Sequence, residues 1–170
     1  MECYSWETSD KILKNIKSVN LDIIKKIQKL DYIVAITHIG GIYMKKILIV
    51  DDEENIRKLM HIILEETEDD GTEIFEAVDG EEALEIIERE KPQLIYLDIM
   101  LPKIDGYDIC HRVKTKYGDS IYVVLITAKG QEYDKKKGLE KGADMYLTKP
   151  FDPEFILNKT CEILNIPYIE

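Results

Sequence analysis

The 170-residue sequence has no apolar run long enough to cross a bilayer. Its longest, Ile33 to Met44, is broken by Thr37, His38, Gly40 and Gly41 and falls short of the roughly 20 residues a spanning helix needs. A basic leader is also missing: Glu2, Glu7 and Asp10 stand where a signal peptide carries its positive charge. Cysteine is scarce. Cys3, Cys110 and Cys161 are odd in number and share no metal-ligand spacing, which argues against a zinc site or a disulfide framework. Cys110 and Cys161 fall within helical patterns and read as buried, reduced thiols, so a cytoplasmic setting is expected. Positive charge is the last deficit. Six lysines and five carboxylates in residues 1–43 leave 17 basic against 29 acidic side chains in 44–170, a net of −12 there. Such a surface repels phosphate backbones, so direct nucleic-acid binding is not expected, while basic partners and divalent cations are.

What is present is an alternation. The strand patterns are Lys46–Val50, Glu73–Ala77, Leu94–Asp98, Ile121–Thr127 and Met145–Thr148. Between and after them lie amphipathic stretches at Glu54–Glu65, Glu81–Glu90, Tyr107–Tyr117, Glu132–Lys141 and Pro153–Leu164. In the second, Ala83, Leu84, Ile86 and Ile87 form an apolar face. In the last, Phe155, Ile156, Lys159 and Ile163 follow the helical period with the apolar residues inward. Asp79-Gly80, Lys91-Pro92, Gly106, Gly118, Gly130 and Gly142 punctuate the junctions. Alternating βα units predict an α/β fold with a parallel sheet covered on both faces.

In open sheets of this kind the functional crevice lies beyond the carboxyl ends of the strands. Those ends carry Asp51-Asp52, Asp98, Thr127 and Lys149. Strand two ends in Ala77-Val78 instead, which suits an edge position. Three carboxylates gathered at one edge favour a hard, oxygen-seeking cation such as Mg²⁺. Asp98 can then attack a phosphoryl group, Thr127 can donate its hydroxyl, and Lys149 can set an ammonium against the developing charge. Lys149 precedes Pro150, so a cis peptide is a candidate at that turn. Each residue has a plainer reading: Asp51 and Asp52 as helix caps, Lys149 as a solvated charge, Thr127 and Tyr146 as ordinary strand residues. His38, His61 and His111 lack partners at ligand spacing, and Lys135-Lys136-Lys137 reads as a solvated helix face that also adjoins Tyr146.

Taken together, Lys46-Ile47-Leu48-Ile49-Val50-Asp51-Asp52-Glu53, Leu97-Asp98-Ile99-Met100-Leu101-Pro102 with Asp105-Gly106, Thr127-Ala128 and Lys149-Pro150-Phe151 resemble the receiver (CheY-like) domain of two-component response regulators. The resemblance implies a five-stranded, flavodoxin-like (βα)₅ fold in strand order 2-1-3-4-5 over residues 44–167. It implies Asp98 as phosphoacceptor, and Asp51, Asp52, Asp98 and the main-chain carbonyl of Met100 around Mg²⁺. Thr127 and Lys149 would contact the phosphoryl group, and Thr127 with Tyr146 would form the switch. The implied partners are a histidine kinase or histidine phosphotransfer protein and a downstream effector, with no membrane. The implied chemistry is bacterial signalling by self-phosphorylation and dephosphorylation, not turnover of an external substrate.

Departures from the family shape further expectations. Residues after Leu164 leave no room for an output domain, so a stand-alone receiver is expected, with a phosphorelay intermediate as the alternative. An aspartate-nucleophile phosphatase wants a second Asp where Met100 stands. A docking-only pseudo-receiver would have lost part of the acidic set or Lys149. Where winged-helix relatives pair through charges on the last helix, Phe155 and Cys161 carry none and only Lys159 keeps the sign, so any homodimer is expected to use another contact, such as an apolar one at Phe155. Met100 cannot hydrogen-bond an attacking water, which together with Lys129 bears on phosphoryl lifetime and points to a longer-lived aspartyl-phosphate. For residues 1–43 two readings stand: a helix from about Ser9 with a seam of Ile12, Ile16, Val19, Ile23, Ile27 and Leu30, or a mis-assigned start ahead of Met44.

Overall fold

The computed structural model describes residues 44–128 and 132–166. The expectations for residues 1–43, including Cys3 and His38, and that for Lys129 lie outside them. The chain divides between Tyr43 and Met44, and the second unit carries the alternation read from the sequence.

Five strands and five helices alternate: β1 Lys45–Val50, α1 Glu54–Leu64, β2 Thr72–Ala77, α2 Gly80–Glu90, β3 Leu94–Asp98, α3 Gly106–Tyr117, β4 Tyr122–Thr127, α4 Glu132–Glu140, β5 Met145–Thr148 and α5 Pro153–Leu164. Two short 3-10 turns, Glu65–Asp70 and Gly118–Ser120, follow α1 and α3. All pairings are parallel, in the order β2-β1-β3-β4-β5. This is the doubly wound, flavodoxin-like arrangement and strand order that the resemblance implied.

The central strands are buried on both sides, so their sequences read as continuous apolar runs. Strand alternation splits those runs between two layers. Leu48, Val50, Ile95, Leu97, Val123 and Leu125 face α2 and α3. Ile47, Ile49, Leu94, Tyr96, Val124 and Ile126 face α1 and α5. Helix starts are set by short acids. Asp79 accepts from the Glu81 and Glu82 N–H groups, Asp105 from Tyr107, and Asp152 from Glu154 just before Pro153.

The inward face of α5 differs from the expected one. Ile156, Leu157, Thr160, Cys161 and Leu164 are buried, whereas Phe155 is 42% exposed. The cause lies in β3: the Tyr96 hydroxyl reaches Thr160 Oγ1 at 2.7 Å, so a polar residue sits satisfied inside the layer. Cys110 and Cys161 are buried thiols outside any disulfide, as the sequence suggested. Burial pushes the Cys110 thiol up to about 11 and keeps it protonated.

Candidate functional site

The site forms where the sheet ladder runs one step past its strands. The Asp51 N–H donates to the Ala77 carbonyl at 3.2 Å, the Ile99 N–H to Ile126 at 3.3 Å, and the Lys149 N–H to Thr127 at 2.8 Å. These bonds carry strand register into the loops, so residues distant in sequence arrive at one level. Asp51 is 3% exposed, Asp98 5% and Thr127 fully buried.

Lys149 joins the acids. Its ammonium lies 2.6 Å from Asp98 Oδ2 and 2.7 Å from Asp51 Oδ2, with Glu53 Oε1 at 3.4 Å. The Lys149–Pro150 peptide is cis, as the sequence allowed. The other carboxylate oxygens take main-chain donors: Asp51 Oδ1 accepts from the Glu53 N–H at 2.9 Å, and Asp98 Oδ1 from the Met100 N–H at 2.9 Å. Burial raises the Asp51 carboxyl above its usual range, against the lowering effect of the Lys149 hydrogen bond. For Lys149 burial works to lower the ammonium, but its hydrogen bonds to Asp51 and Asp98 and their charges outweigh it, and the net direction is up.

The capping alternative for the acidic pair fails. Glu53 is the N-cap of α1 and makes no side-chain cap bond, while Asp51 turns back into the crevice. Gly106 explains the tight return after β3. Its N–H donates to the Ile99 carbonyl at 3.0 Å, and a Cβ there would collide with the Asp98 carbonyl oxygen and meet Ile99 Cα at 2.8 Å. Only glycine lets α3 start this close to the acceptor strand.

Asp51, Glu53 and Asp98 each bring a carboxylate oxygen within 4.8 Å of the others. An all-oxygen donor set with lone pairs left after the N–H and ammonium bonds suits a hard divalent cation. Glu53 is the member that sequence reasoning missed. Asp52 is exposed and stands outside that trio. Four consecutive acids, Asp51 to Glu54, follow the strand, and nothing in their sequence sets Glu53 apart from its neighbours. Met100 is also exposed, its N–H on Asp98. Tyr146 is half-buried and packs on the α2–α3 side, where a Cβ added to Gly138 of α4 would meet its ring at 3.1 Å. His61 has a partner after all, Glu76 Oε1 at 2.8 Å from Nδ1, whereas His111 is exposed. Of the lysine run, Lys136 faces Glu140, and Lys137 lies 4.2 Å above the Tyr107 ring.

No helix among the described residues is long and apolar enough to cross a membrane. Comparison with known proteins gives a consistent answer. Residues 47–160 match the family described as response regulator receiver domain. The chain is 47% identical over 120 residues to the alkaline phosphatase synthesis transcriptional regulatory protein PhoP of Bacillus subtilis, covering 71% of this chain and 48% of that one. Response regulator DrrB, an OmpR/PhoB homologue of Thermotoga maritima, superposes with a TM-score of 0.64 at 34% identity, over 72% of this chain and 53% of that one. A CheY-like receiver domain protein of Methanospirillum hungatei gives 0.64 at 31% identity, over 72% and 94%. The chain spans about half the length of the curated relatives it matches. Since the matched family covers most of the chain and the fold and acidic crevice agree with it, the chain belongs to the response regulator receiver family of two-component systems.

Proposed function

We propose that Asp98 accepts a phosphoryl group from a phosphohistidine on a partner kinase or phosphotransfer protein. A carboxylate oxygen of Asp98 attacks phosphorus as the P–N bond breaks, and the histidine nitrogen leaves with the electron pair and takes up a proton. The observation that carries this reading is the Lys149 ammonium, 2.6 Å from Asp98 and 2.7 Å from Asp51. A cation already on the acceptor oxygen is placed to follow negative charge onto the transferred group. Asp51, Asp52, Asp98 and the Met100 carbonyl are the proposed Mg²⁺ ligands, with Glu53 beside them. Bound there, Mg²⁺ would screen the phosphoryl oxygens from the carboxylates. Thr127, at the end of β4, would donate to a phosphoryl oxygen, and Tyr146 would respond to its movement.

The state of Asp98 is then read by an effector. The Bacillus subtilis relative is named as a transcriptional regulatory protein, and the match covers under half of it. The stand-alone expectation therefore draws no support from that relative. The charge argument against nucleic acid applies to the acidic receiver alone, and an effector domain or partner that binds DNA is compatible with it.

The test is incubation of wild type and Asp98→Asn with a small phosphodonor and Mg²⁺. Wild type is expected to gain the mass of one phosphoryl group, stable in acid and lost in base, and Asp98→Asn none. An unmodified wild type would sink the reading.

A further inference from the structure

Asp51 has partners at both of its polar main-chain groups. Its N–H donates to Ala77, and its carbonyl accepts from Arg57 Nη1 at 2.7 Å. Arg57 sits on α1 with its side chain 11% exposed. Its Nε lies 3.3 Å from Glu76 Oε2 on edge strand β2, yet that buried nitrogen makes no well-directed hydrogen bond. Charge holds the guanidinium against Glu76, and its directed bond goes to the Asp51 carbonyl.

That carbonyl belongs to the peptide linking Asp51 to Asp52. Because a peptide is planar, fixing its oxygen fixes the direction in which the chain leaves toward Asp52. It also fixes how Asp51 presents its carboxylate beside Asp98. A guanidinium near a carboxylate cluster has an opposing effect as well, since its positive charge repels a divalent cation.

We propose that Arg57 is a positioning residue of the cation site, orienting the Asp51–Asp52 peptide so that the acidic pair can take up a divalent metal. The proposal rests on reading the acidic crevice as a Mg²⁺ site, and it predicts a sign. If Arg57 acted only by charge, removing it would tighten Mg²⁺ binding. If it acted only in the fold, removal would lower the melting temperature without changing the response to Mg²⁺. Orientation makes removal weaken binding, as loss of a group that orients metal ligands does.

The experiment melts the full chain over a MgCl₂ series at constant ionic strength and fits the Mg²⁺-dependent shift to a dissociation constant. Melts in chelator report the fold separately. Arg57→Met is expected to weaken Mg²⁺ binding on the order of tenfold. Arg57→Lys, which keeps the charge and loses the fork, is expected to show a smaller loss. Equal or tighter binding by Arg57→Met overturns the proposal. Should that variant not fold, unchanged binding by Arg57→Lys overturns it instead, and weakening supports it. A wild type whose melting ignores Mg²⁺ is a different result, which overturns the cation-site reading beneath the proposal.

Discussion

Two carboxylates buried together at one sheet edge repel each other and lose hydration, and the crevice answers with one ammonium. Lys149 bridges Asp51 and Asp98, and main-chain N–H groups take the remaining oxygens. The compensation is incomplete for Asp51, whose carboxyl burial drives upward. Its folded value lies above the ordinary 3.8, so between the two values the folded state holds the extra proton. The stability tied to that proton is present below 3.8 and lost as pH rises through the folded value. Asp51→Asn in chelator is therefore expected to melt above wild type at neutral pH. The gap should close as pH falls toward the ordinary carboxylate range. A gap that stays constant with pH, or a variant that melts lower, contradicts this. The same reasoning explains what was legible at this scale. Asp51, Asp98, Thr127 and Lys149 announced themselves because each ends an apolar run with a residue that burial penalises. Glu53 did not, because one acid among four in a row, Asp51 to Glu54, carries no such contrast.

Helices and strands were legible to within a residue or two, since parallel strands buried on both faces give apolar blocks and the helices between them keep a 3.6-residue period. Leu94–Asp98, Met145–Thr148 and Pro153–Leu164 agree with their expected bounds. The rotation of α5 was not legible, because hydropathy scores Thr160 as polar and Phe155 as apolar. The decisive contact is a hydrogen bond from a strand 64 residues away in sequence. Thr160 Oγ1 lies 2.8 Å from the Ile156 carbonyl, shorter than the 3.4 Å from the Tyr96 hydroxyl, an arrangement that suits Thr160 donating there and Tyr96 donating to Thr160. Burial pushes that hydroxyl up to about 12, which keeps it a donor at any ordinary pH. Tyr96→Phe removes the bond while leaving Thr160 its own acceptor. It is expected to cost about 1 kcal/mol in urea unfolding with an unchanged m-value. A loss near zero would mean that α5 is held by apolar packing alone and that the Tyr96 bond does not fix its rotation.

At the scale of the molecule, the two apolar layers account for the second unit on their own terms. Among the described residues they run from Ile47 to Ile166, with α2 and α3 covering one face of the sheet and α1 and α5 the other. Both edges of the sheet belong to the unit as well, β2 on one side and β5 on the other. The acidic crevice and its lysine also fall within it. The excess of negative charge is confined there too, since residues 1–43 are nearly balanced. A chain begun at Met44 is therefore expected to unfold in urea as one cooperative transition and to gain a phosphoryl group at Asp98 from a small donor in Mg²⁺. The m-value tests the first part directly, because it scales with the surface a chain exposes on unfolding. A slope of about 1–3 kcal/mol/M, as a small folded domain gives, with labelling of Asp98, would show that the two layers and the crevice suffice for the receiver's stability and chemistry. A shallow, drawn-out transition, or an Asp98 that takes no label, would contradict it.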